Sequence, residues 1–146
     1  MNAYAISALT LSAALTAGCA STTPTLAELK PTPPERVFIK ERQPDAATVT
    51  ILRTREFGGS AVDIRVFANG QIAAHLGWSE WVSFPVPPGE VILEVRHPGP
   101  AIFGLTGDSA VVNATPNGKY FLRVSYDVNG PRLLRTTEAS VAGTIR

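Results

Sequence analysis

Asn69-Gly70 stands between two runs that alternate apolar and polar residues, and this pairing restricts the fold more than any other feature of the chain. Upstream, Val62, Ile64 and Val66 alternate with Asp63 and Arg65; downstream comes Gln71-Ile72-Ala73-Ala74-His75-Leu76. A period of two buries one face of an extended strand. Asn-Gly suits a type I′ turn, which needs positive φ at both central residues and returns the chain antiparallel. Further strand-like runs fall at 48–52, 80–84, 91–96, 109–114, 120–126 and 132–138. Between them lie Pro85-Val86-Pro87-Pro88-Gly89, Pro116-Asn117-Gly118 and Asn129-Gly130-Pro131, whose Pro, Gly and Asn residues favour turns. The Pro-Gly segment at 85–89 is expected to fold residues 80–84 back on 91–96 as an antiparallel pair. No segment of the domain has a convincing helical period. The pattern predicts an all-β fold: a small antiparallel two-sheet β-sandwich of about seven strands over residues 46–141, with 142–146 as a tail.

The first 45 residues obey different rules. Residues 3–17 are a mild apolar run of Ala, Leu, Ile, Ser and Thr, ending in Leu15-Thr16-Ala17-Gly18-Cys19 and then polar Ala20-Ser21-Thr22-Thr23. An apolar core, small residues and a polar stretch form the order of a secretory signal. The run is short for a membrane span, which needs about 20 apolar residues. Ala17-Gly18-Cys19 resembles the bacterial lipobox, in which the thiol takes a diacylglycerol before cleavage and the freed amine is acylated. Several acyl chains, at roughly 0.8 kcal/mol per buried CH₂, make a stable anchor where one chain is marginal. This reading accounts for the single cysteine of the chain. Ala20 rather than Asp after the cysteine favours, by resemblance to enterobacterial lipoproteins, the outer membrane facing the periplasm. Residues 1–18 are thus expected to be a lipoprotein signal peptide, and Cys19 the lipidation site.

Pro24, Pro31, Pro33, Pro34 and Pro44 fall in 19–45 among Ser and Thr. Proline fixes φ and lacks an N–H, so this stretch cannot enter a sheet interior or form a long helix. It is expected to be a Pro-rich linker, semi-extended at about 3 Å per residue. Residues 26–30 suit one helical turn. Val37-Phe38-Ile39 is apolar enough to dock as an edge strand.

Composition narrows the function. Thirteen Lys and Arg against 12 Asp and Glu give a net charge of +1, so no nucleic-acid partner is expected, because phosphate-backbone binding needs a basic surplus. One cysteine excludes an internal disulfide and any zinc site built on several thiolates. The two histidines, His75 and His97, have no apparent metal-binding companions, and no HExxH, CxxC, P-loop or GxSxG element is present. Glu56-Phe57-Gly58-Gly59-Ser60 is Gly-rich but precedes no helix, so a loop or bulge is the expected role. Carboxylates at Asp63, Glu80, Glu90, Glu94, Asp108 and Asp127 fall mostly at solvent-facing or turn positions. The chain is therefore read as a non-enzyme with no cofactor and no metal.

The aromatic residues Trp78, Trp81, Phe84 and Phe57 form the most suggestive cluster. Trp78 lies in the loop Gly77-Trp78-Ser79, where it would either stack on a sugar or anchor a partner, or else lid one end of the core. Trp81, in a strand, suits the core. The loop 98–107 carries Ile102, Phe103 and Leu105; exposed, they make a patch that calls for a partner, and folded back they cap the core. The expected partners are the membrane through Cys19, an envelope protein, and alternatively a glycan or peptidoglycan.

The order ATVTILRTREFGGSAVDIRVFANGQ, then VSFPVPPGEVILEV, then PNGKYFLRVSYD resembles an uncharacterised family of bacterial lipoproteins, domain-of-unknown-function family 2846, and more distantly the PEGA-type sandwich. The likeness spans 46–138 and implies a sandwich, with no activity and no catalytic residues to carry over. Mass spectrometry of the mature protein from native membranes is expected to show a lipid-modified N-terminal Cys19 that Cys19→Ser abolishes. An unmodified wild-type chain would overturn the anchor.

Overall fold

The computed structural model describes residues 25–54, 62–99 and 107–142. Cys19, Phe57, Ile102, Phe103 and Leu105 lie outside them. The described residues form nine strands: β1 (Lys30–Pro31), β2 (Ala47–Arg53), β3 (Ile64–Ala68), β4 (Gln71–Leu76), β5 (Glu80–Val86), β6 (Gly89–Arg96), β7 (Asp108–Ala114), β8 (Lys119–Asp127) and β9 (Gly130–Thr136). They build a five-stranded sheet in the order β1-β5-β2-β8-β9 and a four-stranded sheet in the order β4-β3-β6-β7. The fold is an all-β two-sheet sandwich.

Three hairpins lie within a sheet. Asn69 and Gly70 turn β3 into β4 with φ of 49° and 77°, the type I′ geometry that the dipeptide favours. The Asn69 carboxamide also accepts from the Ile92 N–H at 2.8 Å, tying the turn to β6. The pairs β6–β7 and β8–β9 are likewise antiparallel. In β4 a bulge opposite Val66 and Phe67 turns both Ala73 and Ala74 inward, breaking the strict alternation.

Other turn signals do different work from that expected. The segment around Pro87-Pro88 does not pair β5 with β6; it carries the chain from one sheet to the other, and β5 runs on through Pro85 to Val86. Pro85 is tolerated because it lies on the same edge phase as Ser79 and Trp81, beyond the two residues paired to β1, where no ladder bond is lost. Pro116-Asn117-Gly118 also joins the two sheets. Such crossings make β2 and β8 parallel neighbours, and β1 and β5 as well, so the larger sheet is mixed rather than wholly antiparallel. A short helix, α1 (Glu138–Ala142), follows β9.

The core between the sheets is formed by alternate inward residues, among them Val49, Ile51, Val66, Phe84, Leu93 and Leu122. Strand β2 is sealed on its other face too. Leu52 is fully buried there under Leu29 and Val141, with Leu26, Trp81 and Phe121 packed around them. Trp81 is thus partly buried in this second cluster, outside the main core.

Leu26 and Leu29 belong to the stretch expected to be a linker, yet residues 25–39 form a strap along the sandwich. The Lys30 N–H donates to the Ser79 carbonyl at 2.9 Å and the Thr32 N–H to the Trp81 carbonyl at 2.8 Å. Pro31, between them, turns its nitrogen away from the sheet, so prolines spaced in this way leave an edge strand intact. The expected helical turn is a 3-10 turn at Leu26–Glu28, and Pro34–Arg36 forms another. Val37 bridges to Ala74, and the Phe38 N–H donates to the Ala73 carbonyl at the bulge, 2.8 Å away. The strap therefore covers the exposed edges of both β5 and β4 along one side of the sandwich. Leu29→Ala is expected to cost about 2–4 kcal/mol in chemical denaturation, because it empties a packed cluster. A change below about 0.5 kcal/mol would mean that the strap does not contribute to the folded state.

Candidate functional site

The ends of β2, β4, β6 and β8 and the starts of β3, β5, β7 and β9 meet at one end of the sandwich. Trp78 lies at this end, in the three-residue link from β4 to β5, and is 37% exposed. The strands flanking the Ile102, Phe103 and Leu105 loop also end there, at Arg96 and Asp108.

The chemistry of this end begins with Arg53. Inward-facing positions of β2 run Ala47, Val49, Ile51 and Arg53, so strand periodicity carries the guanidinium into the gap between the sheets, where it is 1% exposed. It spans that gap: Nη1 donates to the Val62 carbonyl at 2.8 Å and to the Leu76 carbonyl at 2.9 Å. Its carbon lies 5.4 Å from the Tyr126 ring centroid, within cation–π range. Burial lowers the Arg53 pKa, while Tyr126, Asp63 and Glu80 oppose that shift. Burial raises the Tyr126 phenol above its ordinary value, with Arg53 acting in the opposite sense.

A second guanidinium comes from the strap. Arg36 donates to Asp63 at 2.6 Å and to Glu80. Partial burial pulls the Arg36 pKa down, but the two carboxylates outweigh it and hold the group above its ordinary value. Glu80 Oε2 accepts from the Gly77 N–H at 2.8 Å and from Thr32 Oγ1 at 3.3 Å. A Cβ at Gly77 would lie 2.7 Å from Glu80 Oε2 and 2.9 Å from Arg36 Nη1. Ser79, with φ of 55°, completes the tight link, and its carbonyl is held by the strap. The loop that presents Trp78 is thus fixed at both of its neighbours before any partner arrives.

No family model matches the chain, and no curated protein matches it in sequence. The functional reading rests on these groups. The Asp63 and Glu80 carboxylates are both tied to Arg36, and Glu80 also accepts from Gly77 and Thr32, which holds the start of the loop. Among the described residues, no three His, Cys, Asp or Glu side chains gather as a metal site. None of the helices there is long and apolar enough to cross a membrane. His75 packs edge-on against Phe38 with ring centroids 5.1 Å apart, and His97 Nδ1 accepts from the Gly99 N–H at 3.1 Å. A separate groove of about 680 Å³ opens at the opposite end of the sandwich, between Phe38 and Ile39 of the strap and Pro85 and Pro87.

Of the site residues expected from sequence, the described structure places Trp78 alone. Arg53 and Arg36 escaped that reading. Arg53 was detectable as a charge at the inward phase of an otherwise apolar strand; Arg36, in a Pro-rich stretch, carried no local signal. Arg53→Met is expected to destabilise the fold by about 2–5 kcal/mol in urea titration, since it removes the donor to two carbonyls at the sheet junction. A loss under about 1 kcal/mol would show that the guanidinium does not join the sheets.

Proposed function

We propose that the protein is a lipid-anchored envelope lipoprotein whose sandwich is a non-catalytic interaction module, with the Trp78 end as its contact surface. The observation that carries this reading is the exposed indole on a loop fixed by Glu80, Arg36 and the strap. A large aromatic side chain whose backbone is already ordered loses little entropy on binding, and tryptophan is favoured among interface hot spots. Val62, 38% exposed, adds apolar surface at the same end of the sandwich, where its carbonyl and that of Leu76 both accept from the Arg53 guanidinium. Anchoring is supported by the signal-like order of residues 3–17 and the lone Cys19 after Ala17-Gly18. The likeness in turn-and-strand order to domain-of-unknown-function family 2846 belongs to the same proposal, as does a place on the periplasmic face of the outer membrane.

A glycan is the alternative occupant, because Asp63 and Arg36 place polar groups at the same end of the sandwich as Trp78. A photo-crosslinking amino acid at position 78 is expected to give a defined protein adduct in intact cells, and one at position 90, at the other end of the sandwich, none. Trp78→Ala is expected to weaken binding of that partner by tenfold or more without loss of folding. A saturable shift of tryptophan fluorescence with muropeptides, and no protein adduct, would assign the site to glycan. Absence of both signals would overturn the contact surface.

A further inference from the structure

The strap changes how a lipid on Cys19 would hold the domain. If residues 19–45 were a free linker, the sandwich would roam as far as roughly 80–90 Å from its anchor, at about 3.3 Å per residue. The chain is instead docked from Thr25 onward. Thr25 opens the first 3-10 turn through a capping box with Glu28, Leu29 is buried against Leu52 and Val141, and two backbone bonds fasten residues 30 and 32 to β5. Arg36 then locks the strap to Asp63 and Glu80, and Phe38 donates to β4. Only six Cα-to-Cα steps separate Cys19 from Thr25, and fully extended they reach about 20 Å.

The point of attachment also selects a face. Leu26 and Leu29 pack with Trp81, Phe121 and the helix residue Val141, all on the outer side of the five-stranded sheet. The outer side of the four-stranded sheet, where Ile92 and Val111 are 43% and 44% exposed, lies across the whole sandwich. Two packed sheets are separated by about 10 Å before side chains are added.

We propose that the docked strap holds the outer face of the five-stranded sheet against the lipid headgroups, within about 20 Å of the anchor, and turns the Ile92–Val111 face away from the membrane. The bilayer is the partner of this face. Lys119, Arg123 and Arg132 place cations on it; Lys119 and Arg132 sit in exposed ion pairs with Glu138 and Asp127. This inference rests on lipid anchoring through Cys19.

The test uses the full lipidated chain in phospholipid vesicles bearing a headgroup-linked fluorescent acceptor. A donor dye is placed on Ala139→Cys, in α1, or on Glu90→Cys, in β6. Expected are efficient transfer from position 139 and a donor–membrane distance at least about 10 Å longer from position 90. Ten Gly-Ser residues inserted between Ser21 and Thr22 leave the strap docked and are expected to lower transfer from position 139. Equal distances at the two positions, or transfer insensitive to the insertion, would overturn the proposal while leaving the anchor intact. The same samples are weighed by mass spectrometry, and an unlipidated Cys19 would overturn anchoring and apposition together.

Discussion

Strand β2 is sealed on both faces, and much of the remaining structure follows from meeting that condition. Its inward residues Val49 and Ile51 enter the core between the sheets, while Leu52 faces the other way and is equally buried. A two-sheet sandwich covers only inner faces by itself. The outer side of β2 therefore needs material from elsewhere, and the chain supplies it from both ends: Leu26 and Leu29 from the strap, and Val141 from the short helix after β9. The segments flanking the strands are in this way part of the fold.

The same strand carries a charge into the interior at its last residue. A lone buried guanidinium is costly unless its donors are matched. Arg53 meets this need across the sheet gap, through carbonyls that belong to the end of β4 and the approach to β3. Arg36, Asp63 and Glu80 extend the arrangement outward to the loop that carries Trp78. Order at the exposed tryptophan is thereby inherited from the sheet junction, and the strap that covers the outer face is also the element that fixes the Trp78 loop.

Edges are managed by similar economy. Along one side, the strap covers β5 and β4. On the other, β7 and β9 hold each other across the sheets: Asp108 of β7 accepts from the Leu133 N–H at 2.9 Å, and Arg135 of β9 donates to the Val111 carbonyl. Each edge thus has backbone groups occupied by a side chain of the other sheet, which opposes strand addition by other chains.

The order of residues by itself determined strands β2 to β9, the hairpin at Asn69-Gly70 and the two-sheet class, because a period of two and a turn requiring positive φ are local demands on the backbone. It also indicated Trp78 as a loop aromatic. Tertiary structure decided which turns stay within a sheet and which cross between sheets, since Pro87-Pro88 and Asn117-Gly118 reverse the chain without specifying its next neighbour. Tertiary structure also decided that β2 and β8 run parallel, that Pro31 lies along the edge of β5, and that Arg36 meets Asp63 and Glu80. These are pairings between residues far apart in the chain. Their energy comes from buried area and matched charges that exist only after the sheets have stacked, so no local pattern of residues records them.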